Sequence, residues 1–124
     1  MPIETIIDQT AGVILHTVTG QLTLEAIRSS FAALIDNPRL RKNTPAIWDF
    51  RAANASQVST DEISQIVDFF QGHIDKRAGH KVAIVVADDL GFGLSRMYEF
   101  QALKLRAEIE VFRDFEQAKK WATT

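Results

Sequence analysis

Apolar positions along this chain change their period several times, and each change marks an element. Short β-branched runs at Ile3 to Ile7 and Val13 to Val18, separated by the turn-like spacer Asp8-Gln-Thr-Ala-Gly12, predict an opening β-hairpin. Leu24, Ile27, Phe31, Leu34 and Ile35 then recur at helical spacing behind the potential cap Thr23, and Asn37-Pro38 stops that helix. Ala46 to Phe50 reads as a buried strand. Ser59-Thr-Asp-Glu62 has the spacing of a reciprocal capping box, and Ile63, Ile66, Val67, Phe70 and Ile74 form one apolar stripe behind it, with Gly79 marking the turn out. Val82 to Ala87 is the next strand, Leu90 to about Arg106 the next helix, and Ile109 to Phe112 a last short strand. Asp114 and Gln117 begin a terminal helix carrying Phe115, Ala118 and Trp121.

The order ββαβαβαβα predicts one α/β domain over residues 1–124. Its five-stranded sheet is mainly parallel with right-handed crossovers, extended at one edge by the antiparallel hairpin. Both pleat faces of Val82 to Ala87 are apolar, so both sides of the central sheet must be covered, by helices or by a second copy of the chain. The helix after Asp89 points the same way. Leu94, Met97 and Leu105 fall on one side of it while Phe92, Phe100 and Leu103 point elsewhere, an apolar surplus that a symmetric self-contact would bury. The expected homodimer interface is therefore Phe92, Met97, Phe100 and Leu103.

A length of 124 residues suits a single core. The formal charge of -2 argues against nucleic acid, and the basic run Arg39, Arg41, Lys42 reads as a solvated loop. Cysteine is absent, which removes disulfides, thiolate nucleophiles and thiolate-held metals. The start has no secretory pattern and no apolar stretch is long enough to span a bilayer, so a cytoplasmic protein without membrane insertion is expected.

Candidate chemistry concentrates where strands run into helices, the edge at which parallel sheets place their ligands. Asp49 and Arg51 stand two apart on an extended segment and share a face, so they can pair with each other or hold a polar ligand. Asp88 and Asp89 are adjacent, and one of them suits a helix cap better than acid/base work. Gly91-Phe-Gly93 resembles the start of a dinucleotide fingerprint, but Arg96 stands where the third glycine belongs. Arg96 and Tyr98 could reach an anion near the helix start, or serve as surface residues. His16, His73 and His80 lack the spacing of a zinc site or a catalytic pair, so neither a metal nor a cofactor is expected. Trp48 and Trp121 read as core.

With this element order, Ala83-Ile-Val-Val, Phe92-Gly-Leu-Ser-Arg-Met-Tyr-Glu99 and Val111-Phe-Arg-Asp-Phe-Glu-Gln-Ala-Lys-Lys-Trp121 resemble a small bacterial branch of the STAS superfamily, stand-alone STAS-like or Sec14-like proteins. The superfamily includes the anti-sigma factor antagonists of the SpoIIAA type. The resemblance covers nearly the whole chain and implies a regulatory module that binds partners rather than a catalyst. Its best-known members carry a phosphorylatable serine in an Asp-Ser-Ser-Gly-like motif after the third strand, where an added dianion changes partner affinity. Here that segment is Asp49-Phe-Arg-Ala-Ala-Asn-Ala-Ser-Gln-Val-Ser59, without an Asp-Ser pair or a glycine. Ser56 is the nearest positional equivalent, while Ser59 reads as a helix cap. Two functions are thus expected: a non-enzymatic, homodimeric interaction module facing another regulatory protein, or a carrier or sensor of a small apolar or anionic ligand, lipid or nucleotide-like. In the second reading the ligand lies between the sheet and the aromatic helix Phe92 to Phe100.

Overall fold

The structure, a computed structural model, describes residues 3–41, 43–73, 80–105 and 107–124. Its elements are β1 (Ile3–Asp8), β2 (Val13–Gln21), α1 (Leu24–Ile35), β3 (Ala46–Asn54), α2 (Thr60–Gln71), β4 (His80–Val85), α3 (Asp89–Gln101), a 3-10 turn (Ala102–Lys104), β5 (Ala107–Phe112) and α4 (Phe115–Ala122). The predicted order and fold class stand: β1 pairs β2 antiparallel, and β2, β3, β4 and β5 follow in parallel, side by side in chain order.

Local chemistry accounts for most boundaries. Gly12 at φ 71° returns the hairpin, its N–H reaching Asp8 O at 2.8 Å. Thr23 accepts from Ala26 N at the start of α1, and the capping box of Ser59 and Glu62 closes both ways at 3.1 Å. Asp88 and Asp114 cap α3 and α4 through their carboxylates. Elsewhere tertiary pairing moved the ends. Strands β2 and β3 run several residues further than their apolar runs, through a register shift at Thr17/Thr19, because each supplies the other's hydrogen bonds out to Gln21 and Asn54. Helix α2 ends at Gln71 with Gly72 as its cap. The expected stripe member Ile74 and turn residue Gly79 lie outside the described residues, as do Lys42 and Arg106. Helix α3 stops at Gln101, where the chain tightens into the 3-10 turn.

A sheet whose parallel strands advance steadily in one direction has a simple consequence for its helices. Right-handed crossovers place every connecting helix on the same face, and α1, α2 and α3 do pack together there over Val18, Trp48, Val82, Ile84 and Val86. Among the described helices only α4, which follows the last strand, is left for the other face. It lies on β3, β4 and β5, with Ala118 and Ala122 against Ile47, Ala83 and Val85. Small residues on α4 let its backbone come close to the sheet. Both faces of β4 are thus covered within one chain, by helices.

Replacing Ile47, which is buried between the sheet and α4, by Ala should cost about 3 kcal/mol, and Ser59→Ala about 1 kcal/mol. Urea unfolding of both variants checks the ranking.

Candidate functional site

Strand β3 pairs with β4 only over Ala46–Asp49, opposite Val82–Val85, yet continues alongside β2 to Asn54. Where the β3–β4 pairing stops, at the carboxyl edge of the sheet, a cavity of about 240 Å³ opens on the face covered by α1, α2 and α3. Trp48, Val82, Ile84 and Val86 form its floor, Ile63, Ile66 and Phe70 of α2 one wall, and Gly91, Leu94, Ser95 and Tyr98 of α3 the other. Asn54, Ala55, Val58 and Asp88 stand around it near the strand ends. A second cavity of about 60 Å³ lies beyond Tyr98, which lines both.

The sheet-facing side of α3 decides the cavity's character. Gly91, Ser95, Tyr98 and Ala102 recur at helical spacing where an apolar stripe would be expected. Gly91 allows the first turn to sit tightly on β4, since a Cβ there would meet Asp88 Oδ1 at 3.0 Å and the Val86 side chain at 3.4 Å. Ser95 is buried, and burial pushes the Tyr98 phenol above its ordinary value, so the hydroxyl stays protonated. Neither hydroxyl takes a hydrogen-bond partner among the described residues. The Tyr98 ring is held edge-on to Phe70, with centroids 6.4 Å apart. Ser95 was not anticipated from the sequence, and its signal was the 91–95–98 spacing of small and polar residues beside Leu94 on the same side of the helix.

The residues singled out from the sequence fall in three places. Asp49 and Arg51 form a bidentate pair, with Nε to Oδ1 at 2.9 Å and Nη2 to Oδ2 at 2.8 Å. The Arg51 guanidinium also lies 5.0 Å over the Phe115 ring, so this pair belongs to the α4 side of the sheet. Burial alone would raise the Asp49 carboxyl, but the hydrogen bonds and charge of Arg51 outweigh it and hold the group below the usual value. Asp88 sits on the opposite side, lining the cavity, and caps α3 by accepting from Gly91 N at 2.7 Å. Asp49, Arg51 and Asp88 therefore do not converge. Ser56 is an exposed turn residue whose N–H donates to Asn54 Oδ1. Arg96 points outward and pairs with Glu99 at 2.9 Å, while only Tyr98 of that group lines the cavity.

The apolar surplus on α3 is distributed differently from its expected pattern. Leu94 turns into the first cavity and Leu105 into the second. Phe92 is half-buried under the Arg113 guanidinium, 4.9 Å from its ring, and Arg113 in turn pairs with Asp89 at 2.7 Å. Met97, Phe100 and Leu103 are left outside, at 36%, 74% and 76% exposure.

Two further features bear on the chemistry. His16, 1% exposed, stacks on Trp48 with centroids 3.8 Å apart and shares a hydrogen bond with the Thr5 hydroxyl at 2.8 Å, which meets Ser30 at 2.9 Å. This chain of polar groups, buried at His16 and half-buried at Thr5 and Ser30, props Trp48 under the cavity. Among the described residues no three His, Asp or Glu side chains gather as a metal site, and no helix is long and apolar enough to cross a membrane.

No family model and no curated protein matches the sequence. Among solved structures the chain is similar to an uncharacterized protein of the DUF3478 family with a SpoIIAA-like fold from Shewanella loihica PV-4, at 16% identity and a TM-score of 0.62, covering 97% of this chain and 91% of that one. The likeness shows the fold: this is a SpoIIAA-like α/β domain, in agreement with the resemblance carried by its sequence.

Arg51→Ala should lower stability by roughly 1–2 kcal/mol at neutral pH, because Asp49 keeps its burial and loses its compensation. Since the native Asp49 pKa lies below the unfolded value, the pair's contribution is complete above the unfolded pKa of about 4 and is lost as pH falls through the native one. The deficit of the variant should therefore be largest near pH 7 and shrink below about pH 4. Denaturant titrations of both proteins across that window measure it.

Proposed function

We propose that this chain, with its SpoIIAA-like fold, is a non-enzymatic regulatory module that takes up a small apolar molecule between its sheet and α3. The cavity at the carboxyl edge of the strands carries this reading. It lies where open α/β sheets accept ligands, its lining is overwhelmingly apolar, and its few polar residues are Asn54 and Asp88, both engaged with backbone N–H groups, and Ser95 and Tyr98, whose hydroxyls take no partner among the described residues. That combination is the ordinary make-up of a small-molecule site. The bidentate ion pair of Asp49 with Arg51 is on the far side of the sheet from the cavity, and the capping carboxylate of Asp88 is engaged with Gly91 N.

The ligand's effect would reach a partner through α3, because this helix supplies one wall of the cavity and, with the 3-10 turn that continues it, the exposed row Met97, Phe100 and Leu103. That row supports a second reading, in which a second copy of the chain covers it and the module works as a homodimer. Met97, Phe100 and Leu103 are the interface residues of this reading, and Phe92 contributes only its outer edge.

Titration of the 15N-labelled protein with naphthalene should give saturable shifts confined to the amides around Ala53, Ser95 and Tyr98. Ala53→Phe, or Ala55→Trp at the rim, should abolish them while keeping a cooperative thermal transition. An unperturbed spectrum at saturating probe would sink the cavity reading. For the dimer, Phe100→Glu and Leu103→Glu should each lower the sedimentation coefficient to that of a monomer. A native protein that already sediments as a monomer at high concentration removes that reading.

A further inference from the structure

The charge and hydrogen-bonding capacity of the cavity wall narrow what the cavity can hold. Among the described residues no Lys, Arg or His lines it, and the one charged lining residue is Asp88, an acid. The nearby cations are engaged elsewhere: Arg113 with Asp89, Arg96 with Glu99, and Arg51 with Asp49 across the sheet. A carboxylate or phosphate entering this space would lose its water with no compensating charge, next to an aspartate. The expectation of an anionic or nucleotide-like ligand therefore has no support from the lining. At the same time Ser95 and Tyr98, one turn apart on α3, both line the cavity, and their hydroxyls take no hydrogen-bond partner among the described residues. A carbonyl oxygen has two lone pairs and can accept from both.

Size follows from the volume. A dry cavity of about 150 Å³ accommodates benzene, so the 240 Å³ here corresponds to about ten non-hydrogen atoms by simple proportion. The surrounding rings of Trp48, Phe50, Phe70 and Tyr98 favour a flat or aromatic body.

Building on the cavity reading above, we infer that the site is selective for an uncharged, mostly apolar molecule of that size bearing one hydrogen-bond acceptor, gripped by the hydroxyls of Ser95 and Tyr98. Carboxylic acids are rejected in their ionised form. An acceptor-free hydrocarbon of the same shape enters but binds more weakly, because it leaves both hydroxyls unpaired.

A matched series tests this on the full chain: propiophenone, propylbenzene and 3-phenylpropanoate, titrated at pH 7.5 by calorimetry and followed by 15N shifts. Propiophenone should bind roughly fivefold more tightly than propylbenzene, the equivalent of about one hydrogen bond, and more than tenfold more tightly than the carboxylate, whose desolvated charge costs more than a neutral group. Tyr98→Phe, which keeps the ring, and Ser95→Ala should each shrink the ketone's advantage, with propylbenzene binding as tightly as before or more tightly because one unpaired hydroxyl is gone. If 3-phenylpropanoate binds as tightly as the ketone, or if both variants keep the full ketone preference, the inferred ligand class is wrong although the cavity remains a site. If none of the three binds to the native protein, the cavity reading fails and this inference falls with it.

Discussion

Strands in a sheet are about 4.8 Å apart, whereas packed helices need about 8–10 Å. When parallel strands advance one position at a time and every crossover has the same hand, three helices must share the width of only a few strands. They cannot all lie flat on the sheet. Here α1 lies close to β1 and α3 close to β5, and α2 packs between those two helices, with few close backbone approaches to the strands. The space under such an arch narrows at one end to the second cavity of about 60 Å³, and at the other, where β3 and β4 stop pairing, it stays open as the larger one. The candidate site is thus a product of topology as much as of any particular residue.

Helix α3 is placed to connect that space with the surface. Its inner side sets the small or hydroxylated Gly91, Ser95 and Tyr98 beside Leu94, and its outer side carries Met97 and Phe100, with Leu103 exposed on the turn that follows. An ordinary amphipathic helix would turn more of its large apolar groups inward. Small inward residues leave room above the sheet, and the displaced apolar surface then lies outside, available to a partner. Occupying the cavity and covering the outer row therefore act on the same rigid element, which is the physical basis for the proposed link between ligand and partner.

Polar groups in the interior are handled in two ways. Asp49 is buried against α4 and compensated by both Arg51 nitrogens and the Arg51 N–H, so it is structural in effect, holding the end of β3 near Phe115. His16 is compensated through Thr5 and Ser30 and shielded by Trp48. The hydroxyls of Ser95 and Tyr98 differ from both because they border open volume and have no described partner. Satisfied groups of the first kind hold the frame, and only the second kind has bonding capacity left for a visitor.

Periodicity by itself determined the element order, the α/β class, the parallel sheet with its antiparallel edge, and the caps at Thr23, Ser59 and Asp114, because these depend on residues within a few positions of one another. The pairing of Asp49 with Arg51 was legible for the same reason, the two being two residues apart on one strand. Tertiary structure alone decided that β2 and β3 extend each other to Gln21 and Asn54, that Asp49 and Asp88 lie on opposite sides of the sheet, and that Leu94 faces inward while Met97 faces out. It also decided the cavity, whose lining comes from all three crossover helices and from β3 and β4. Empty space has no sequence period. It arises from the mismatch between strand and helix spacing, and that mismatch exists only once the layers are stacked.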